Sequence, residues 1–129
     1  SIHAGIQSMH ALHEMYEKYL DEPASKSRAP LMYLRDWASN HKTVIVLKGG
    51  EPDQLQELYQ NIIINAANEL ELPHARFREP SLNNSFTSFA IVLPETYYNP
   101  TFVSSYEDMN LEDPMNRIRY AIGRMPLAL

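Results

Sequence analysis

The chain has 129 residues, 44% of them hydrophobic, no cysteine and a formal charge of −5 at pH 7. That length suits one domain, while the composition excludes a disulfide framework and a cysteine-ligated metal and argues against a broad non-specific nucleic-acid surface, which needs a dense Lys/Arg field, though not against a small basic patch. No apolar run approaches the ~20 residues that span a bilayer, and no basic stretch leads into a long apolar one, so a cytoplasmic protein with no membrane partner is expected.

Residues 1–20 predict an amphipathic helix capped by Ser1. Ile2, Ile6, Met9, His13, Tyr16 and Leu20 recur at helical steps and form its expected apolar stripe. A second stripe of small residues, Ala4, Gly5, Ser8 and Ala11, allows close approach to a sheet. The polar stretch 21–29, with Pro23 and mixed charges, is a link. Pro30 suits the first turn of a second helix, which presents Leu31, Leu34, Trp37 and Ala38 and ends over residues 39–41.

Residues 42–48 predict a central strand. Thr43, Val44, Ile45, Val46 and Leu47 are apolar and mostly β-branched, the pattern of a strand covered on both faces. Residues 52–71 predict the longest helix, with Leu55, Leu58, Tyr59, Ile62, Ile63, Ala66, Ala67 and Leu70 on its core face. Two strands follow, over 74–78 and 86–93, joined by a link of turn-forming residues from Pro80 to Ser85. Residues 97–112 are aromatic and turn-rich. Asp113 and Pro114 then start a short helix carrying Met115, Ile118, Ala121 and Ile122, which Gly123 stops.

The expected class is α/β: a small mixed sheet of three to four strands with helices packed on it. The strand–helix–strand order implies a right-handed parallel crossover, and the strands flanking the polar link are antiparallel neighbours. A further strand before residue 1 is expected to complete the sheet. Residues 1–94 form the core of one domain, and 95–129 a C-terminal extension with a short helix.

Three features in this order resemble the class II peptidyl-tRNA hydrolase fold. Gln7-Ser8-Met9-His10-Ala11 is similar to that family's Ala-Gln-x-x-His-Ala helix. Thr43-Val44-Ile45-Val46-Leu47 with the long helix after it is similar to the central strand and crossover. Phe77-Arg78-Glu79-Pro80-Ser81-Leu82 leading to Phe86-Thr87-Ser88-Phe89-Ala90 looks like the Arg-Glu-Pro-Asp-Leu and Leu-Thr-Ala pattern of a divergent branch. The likeness covers residues 1–94 and says nothing of 95–129.

The resemblance implies an enzyme that cleaves the ester between a peptide and the tRNA 3′ ribose. Its site must orient water, stabilise an oxyanion and grip phosphates. The family's Lys at the start of the first helix falls on His3, its Asp on Glu79, and its Thr on Asn83 or, with a shorter link, Thr87. His3, Glu79, Asn83 and Thr87 are therefore the candidate catalytic residues, and Gln7, His10 and Arg78 the candidate substrate-binding ones. Each departure changes the chemistry. His3 is only partly charged near pH 7, and Glu79 carries the carboxylate on a longer arm.

Each candidate also has a structural alternative. His3 satisfies a helix end, and Gln7 and His10 bond a neighbouring turn. Glu79 caps backbone or pairs with an Arg, and in an extended segment it points opposite to Arg78. No metal or other cofactor is expected: His10, His13 and Glu14 resemble a metal cluster, but His10 and His13 lack a third convincing ligand. Arg117, Arg119 and Arg124 with Tyr120 are the one local basic cluster, suited either to RNA or to a solvated helix face. Tyr97, Tyr98, Phe102 and Tyr106 are suited to stacking bases, to fastening the tail or to a homodimer contact. Gly49-Gly50 lacks the following Lys-Ser/Thr of a phosphate-binding loop, and no Ser sits in a nucleophile elbow. The competing expectation is a non-enzymatic RNA- or protein-binding module on the same fold.

Overall fold

A computed structural model of the chain describes residues 2–23, 26–94 and 110–128. The expected cap Ser1 and the aromatics Tyr97, Tyr98, Phe102 and Tyr106 lie outside the described residues.

The centre is a hairpin. β1 (His74–Glu79) and β2 (Ser85–Ile91) pair antiparallel, from His74 opposite Ile91 to Glu79 opposite Ser85. The link turns as its residues dictate. Pro80 opens a single 3-10 turn over Pro80–Leu82, and Asn83 and Asn84 take left-handed φ angles of 58° and 60°, a conformation Asn tolerates better than most residues. The Asn84 N–H donates to the Glu79 carbonyl at 3.0 Å and closes the loop. The register slips between Phe77, opposite Ser88, and Arg78, opposite Phe86, so Thr87 is an extra residue on β2.

Helices cover both faces of the hairpin. Ala75 on one face packs with Met15 and Tyr19 of α1 (Ile2–Leu20) and Leu34 of α2 (Ala29–Asp36). Phe86 on the other packs with Tyr59, Ile63 and Ala121. The long helix is continuous but not uniform: α3 (Pro52–Leu58) runs into a wider π turn (Tyr59–Ile63) and then α4 (Ile64–Glu69). Its start is closed by reciprocal bonds between Glu51 and Gln54. The expected core face holds, with Tyr59, Ile63, Ala66 and Ala67 buried and Leu55, Leu58, Ile62 and Leu70 half-buried. α5 (Pro114–Gly123) is capped by the Asp113 carboxylate, which accepts from the Met115 N–H at 2.9 Å. Its Ile118 and Ile122 join Ala66, Ala67 and Leu72 in a third cluster, so this helix belongs to the core and is not an appendage.

Two expectations are corrected. α1 buries Gln7, Ala11, Met15 and Tyr19, while Ile6, Met9 and Leu20 are about half exposed, at 48%, 58% and 51%. The small side chains decide this. Ala11 lets the helix axis approach the hairpin, and the face carrying it turns inward; the fully buried Met15 then contributes about 1.5–3 kcal/mol. The expected central strand at 42–48 does not form. The described residues carry a two-stranded antiparallel sheet, not three or four strands, and no parallel crossover. Only a single bridge, Leu47 to Leu127, marks that segment, with Lys48 N–H donating to Pro126 O and Ala128 N–H to Val46 O, both at 2.9 Å. Val44 and Ile45 are 61% and 47% exposed. β-branched residues favour a strand when a neighbouring strand and a covering layer are present; here the chain after α5 offers one bridge, and the cover reaches only the end of the segment, where Leu47 packs on the Ala66–Ile122 cluster while Val44 and Ile45 stay exposed.

Candidate functional site

The first half of α1 crosses the hairpin near its turn, and there Gln7 is 7% exposed. A buried amide needs partners at both ends. Thr87 Oγ1 donates to Gln7 Oε1 at 2.8 Å, and Gln7 Nε2 donates to Glu79 Oε2 at 3.3 Å. An ionised carboxylate only accepts, so the amide NH₂ faces Glu79 and its oxygen faces Thr87. Ser88 Oγ donates to the Gln7 carbonyl at 2.6 Å. Neighbours in a regular strand point to opposite faces, yet Thr87 and Ser88 both reach Gln7. The bulge at Thr87 makes this possible by re-aiming one side chain.

Glu79 is held from the turn as well. Its Oε1 accepts from the Ser81 hydroxyl at 2.8 Å and the Ser81 N–H at 3.1 Å. These bonds from Ser81, then the one from Gln7, hold the carboxyl below its ordinary range, with His10 adding a smaller electrostatic push the same way. Glu79 is thus ionised at neutral pH, and among the described residues it makes no salt bridge. His10, three residues along α1 from Gln7, stacks on Phe77 with ring centroids 4.5 Å apart.

The fold therefore gathers Gln7, His10, Glu79 and Thr87. His3 lies exposed one turn before Gln7 on the same helix. Arg78 takes the opposite face, as alternation requires, 5.7 Å over the Phe86 ring and with Nη1 donating to Asn84 O at 3.2 Å. Asn83 is an exposed turn residue, so it is the Thr87 hydroxyl that meets Gln7. Ser81 and Ser88 also belong to the cluster, though neither is among the candidates above. For Ser81 the signal was there: an acceptor side chain, then Pro, then a hydroxyl residue is a turn that caps itself.

A second polar cluster lies at the far end of β1. His74 is 3% exposed. Its Nδ1 is 2.6 Å from the Tyr59 hydroxyl and its Nε2 is 2.8 Å from Asn68 Oδ1. The amide oxygen only accepts, so Nε2 carries the proton and Nδ1 accepts from Tyr59. Burial lowers the His74 pKa to about 4 and raises that of Tyr59 to about 12, so both are neutral. Beside them, between α1, α4 and the edge of β1, is a cleft of about 790 Å³.

Among the described residues no group of three His, Cys, Asp or Glu is placed to hold a metal, and no helix is long and apolar enough to cross a membrane. The basic cluster of α5 is engaged within the fold. Arg117 pairs with Glu69 at 2.8 Å, and Arg124 lies 5.0 Å over the Tyr120 ring and donates to its hydroxyl at 2.6 Å.

Comparison with protein-family models, curated proteins and solved structures gives no match. The chemistry of the site is thus its own guide. An ionised carboxylate held at one oxygen by Ser81 and at the other by a single long bond retains accepting capacity at Oε2, enough to orient a water or an alcohol.

Proposed function

We propose that this domain hydrolyses an ester of the kind that joins a peptide to the 3′ ribose of tRNA, at the Gln7–Glu79–Thr87 cluster. The observation that carries this reading is the buried amide of Gln7, bonded at one end to Thr87 and at the other to Glu79. Residues from three elements, 72 and 80 positions apart in the chain, are spent on fixing one carboxylate. The resemblance of 7–11 and 77–90 to the hydrolase motifs points to the same residues.

In this mechanism Glu79 Oε2 accepts a hydrogen bond from a water and takes its proton as the water attacks the ester carbonyl. The proton then passes to the departing ribose hydroxyl. His10 supplies a donor to the carbonyl oxygen as it gains charge, and His3, about two turns before it on α1, offers a donor to a substrate anion. A carboxylate below its usual pKa is a weak base, so most of the rate comes from positioning. The test is release of N-acetylaminoacyl groups from tRNA. Wild-type protein should release them, and a His3→Ala, Glu79→Ala double variant should fall to background. Absence of wild-type release would end the enzymatic reading.

A second reading, a non-enzymatic binding module, is favoured by one observation: Arg78 faces away from Glu79, so among the described residues the cluster has no fixed strong cation for phosphate. A tRNA gel shift at low and moderate salt separates the possibilities, since phosphate contacts weaken steeply with salt. A protein that ignores tRNA even at low salt favours a protein partner over RNA.

A further inference from the structure

The hairpin register exposes more than the ester cluster needs. The Val92 N–H donates to the Pro73 carbonyl at 3.0 Å, which marks residues 73 and 92 as a bonded pair. Antiparallel pairs alternate, so Ala75 and Phe77 bond β2, while His74, Arg76 and Arg78 turn their main-chain N–H and C=O groups to the outer edge of β1. At His74 that edge is closed. Its N–H donates to Tyr19 Oη at 3.1 Å, and its carbonyl accepts from Lys18 Nζ at 3.0 Å and Tyr19 Oη at 3.3 Å. At Arg76, an exposed residue that lines the cleft between α1 and α4, no group among the described residues bonds it.

The charge of the cleft argues against phosphate. Lys18, Lys26 and Arg76 are balanced by Glu14, Glu22 and Glu71. A neutral chain of amides suits such a lining, and an outward main-chain N–H and C=O on one residue suit an added strand. The cleft and the ester cluster share one flank of α1 and one strand. Gln7, His10, Glu14 and Lys18 follow one another along one flank of α1 at helical steps. Along β1, Arg76 lies three residues before Glu79, or about 10 Å at ~3.3 Å per residue.

We infer that the outer edge of β1 is the subsite for the peptide portion of the substrate, which lies there as a third, extended strand with its third residue opposite Arg76. This rests on the ester-hydrolase reading. The ester carbonyl is the peptide's C-terminus and lies at Glu79, the C-terminal end of β1, so the peptide runs parallel to β1 between α1 and α4, and the Tyr19–Lys18 closure at His74 limits how many residues it engages.

The test is the length dependence of hydrolysis. With tRNA carrying N-acetylated chains of one to four residues, kcat/KM should rise about tenfold up to the third residue, the worth of one or two main-chain bonds, and then level off. In a parallel pair the amide that donates to the Arg76 carbonyl belongs to the second residue from the ester, so N-methylation there should abolish the gain. Arg76→Pro removes the outward N–H without touching a bond to β2 and should do the same. A proline here risks the hairpin, so the N-methyl substrate carries the test on wild-type protein. A flat length dependence, or indifference to N-methylation, overturns the subsite. If no ester is cleaved, the hydrolase reading falls, and titration of ¹⁵N-labelled protein with N-acetyl-trialanine amide judges the edge alone. No shift at the Arg76 amide overturns the subsite; a shift there without hydrolysis overturns the substrate as its occupant.

Discussion

His74 gives the sharpest quantitative prediction. Its imidazole is 3% exposed and held neutral between Tyr59 and Asn68. Folded, it takes a proton near pH 4; the ordinary value is 6.5. Above pH 6.5 neither state is protonated, and the contribution to stability is complete. As pH falls below 6.5 the unfolded chain gains the proton first, and stability drops until the folded protein also protonates near pH 4. A gap of that size corresponds to about 3 kcal/mol at about 1.36 kcal/mol per pH unit. Domains of this kind have about 5–15 kcal/mol in total, so the loss is a large fraction. Urea unfolding at steps from pH 7 to pH 4 measures it, with His74→Gln, which keeps a donor and an acceptor but cannot ionise, as the reference. The wild-type protein should lose up to about 3 kcal/mol more than the variant over that window. Equal losses would show that His74 is not buried and neutral as described.

Thr87→Val removes the hydroxyl that donates to Gln7 Oε1 and should lower esterase activity about tenfold and stability by about 1–2 kcal/mol, with Thr87→Ser restoring both; rates and urea midpoints check this. Ser81→Ala deletes the side-chain bond that most lowers the Glu79 pKa. The pKa should rise toward its ordinary value, read by carboxyl NMR, and the acid limb of the activity profile should move to higher pH. Val44→Thr should change stability by less than about 0.5 kcal/mol, because Val44 is 61% exposed. A loss well above 1 kcal/mol would restore the buried strand that the sequence suggested.

Local chemistry was legible, and non-local choices were not. The hairpin could be read because Pro80, Asn83 and Asn84 each force a turn conformation by themselves. The core face of 52–71 could be read because the stripe through Tyr59 and Ile63 survives the π turn in its middle. α1 presented two stripes, one of large apolar residues and one of small ones. Which is buried depends on how closely the hairpin can approach, and Ala11 settles that only in three dimensions. Residues 42–48 have strand chemistry, but a strand exists only in a ladder, and the sequence does not say which segment is its partner. The Gln7–Glu79–Thr87 cluster was half visible. Its members were named from motifs, while the bulge that turns Thr87 and Ser88 to the same face is a property of pairing. The bonds joining Tyr19, Tyr59, Asn68 and His74 leave no periodic trace at all.

The central claim is that Glu79, held by Gln7 and Ser81, positions the water for ester cleavage. Single-turnover release of an N-acetylaminoacyl group from tRNA by wild-type protein and by Glu79→Gln, with the affinity of each for the intact substrate, tests it most directly. The account predicts a rate at least about 100-fold lower for the variant with little change in affinity. Equal rates, or a loss confined to affinity, would contradict it.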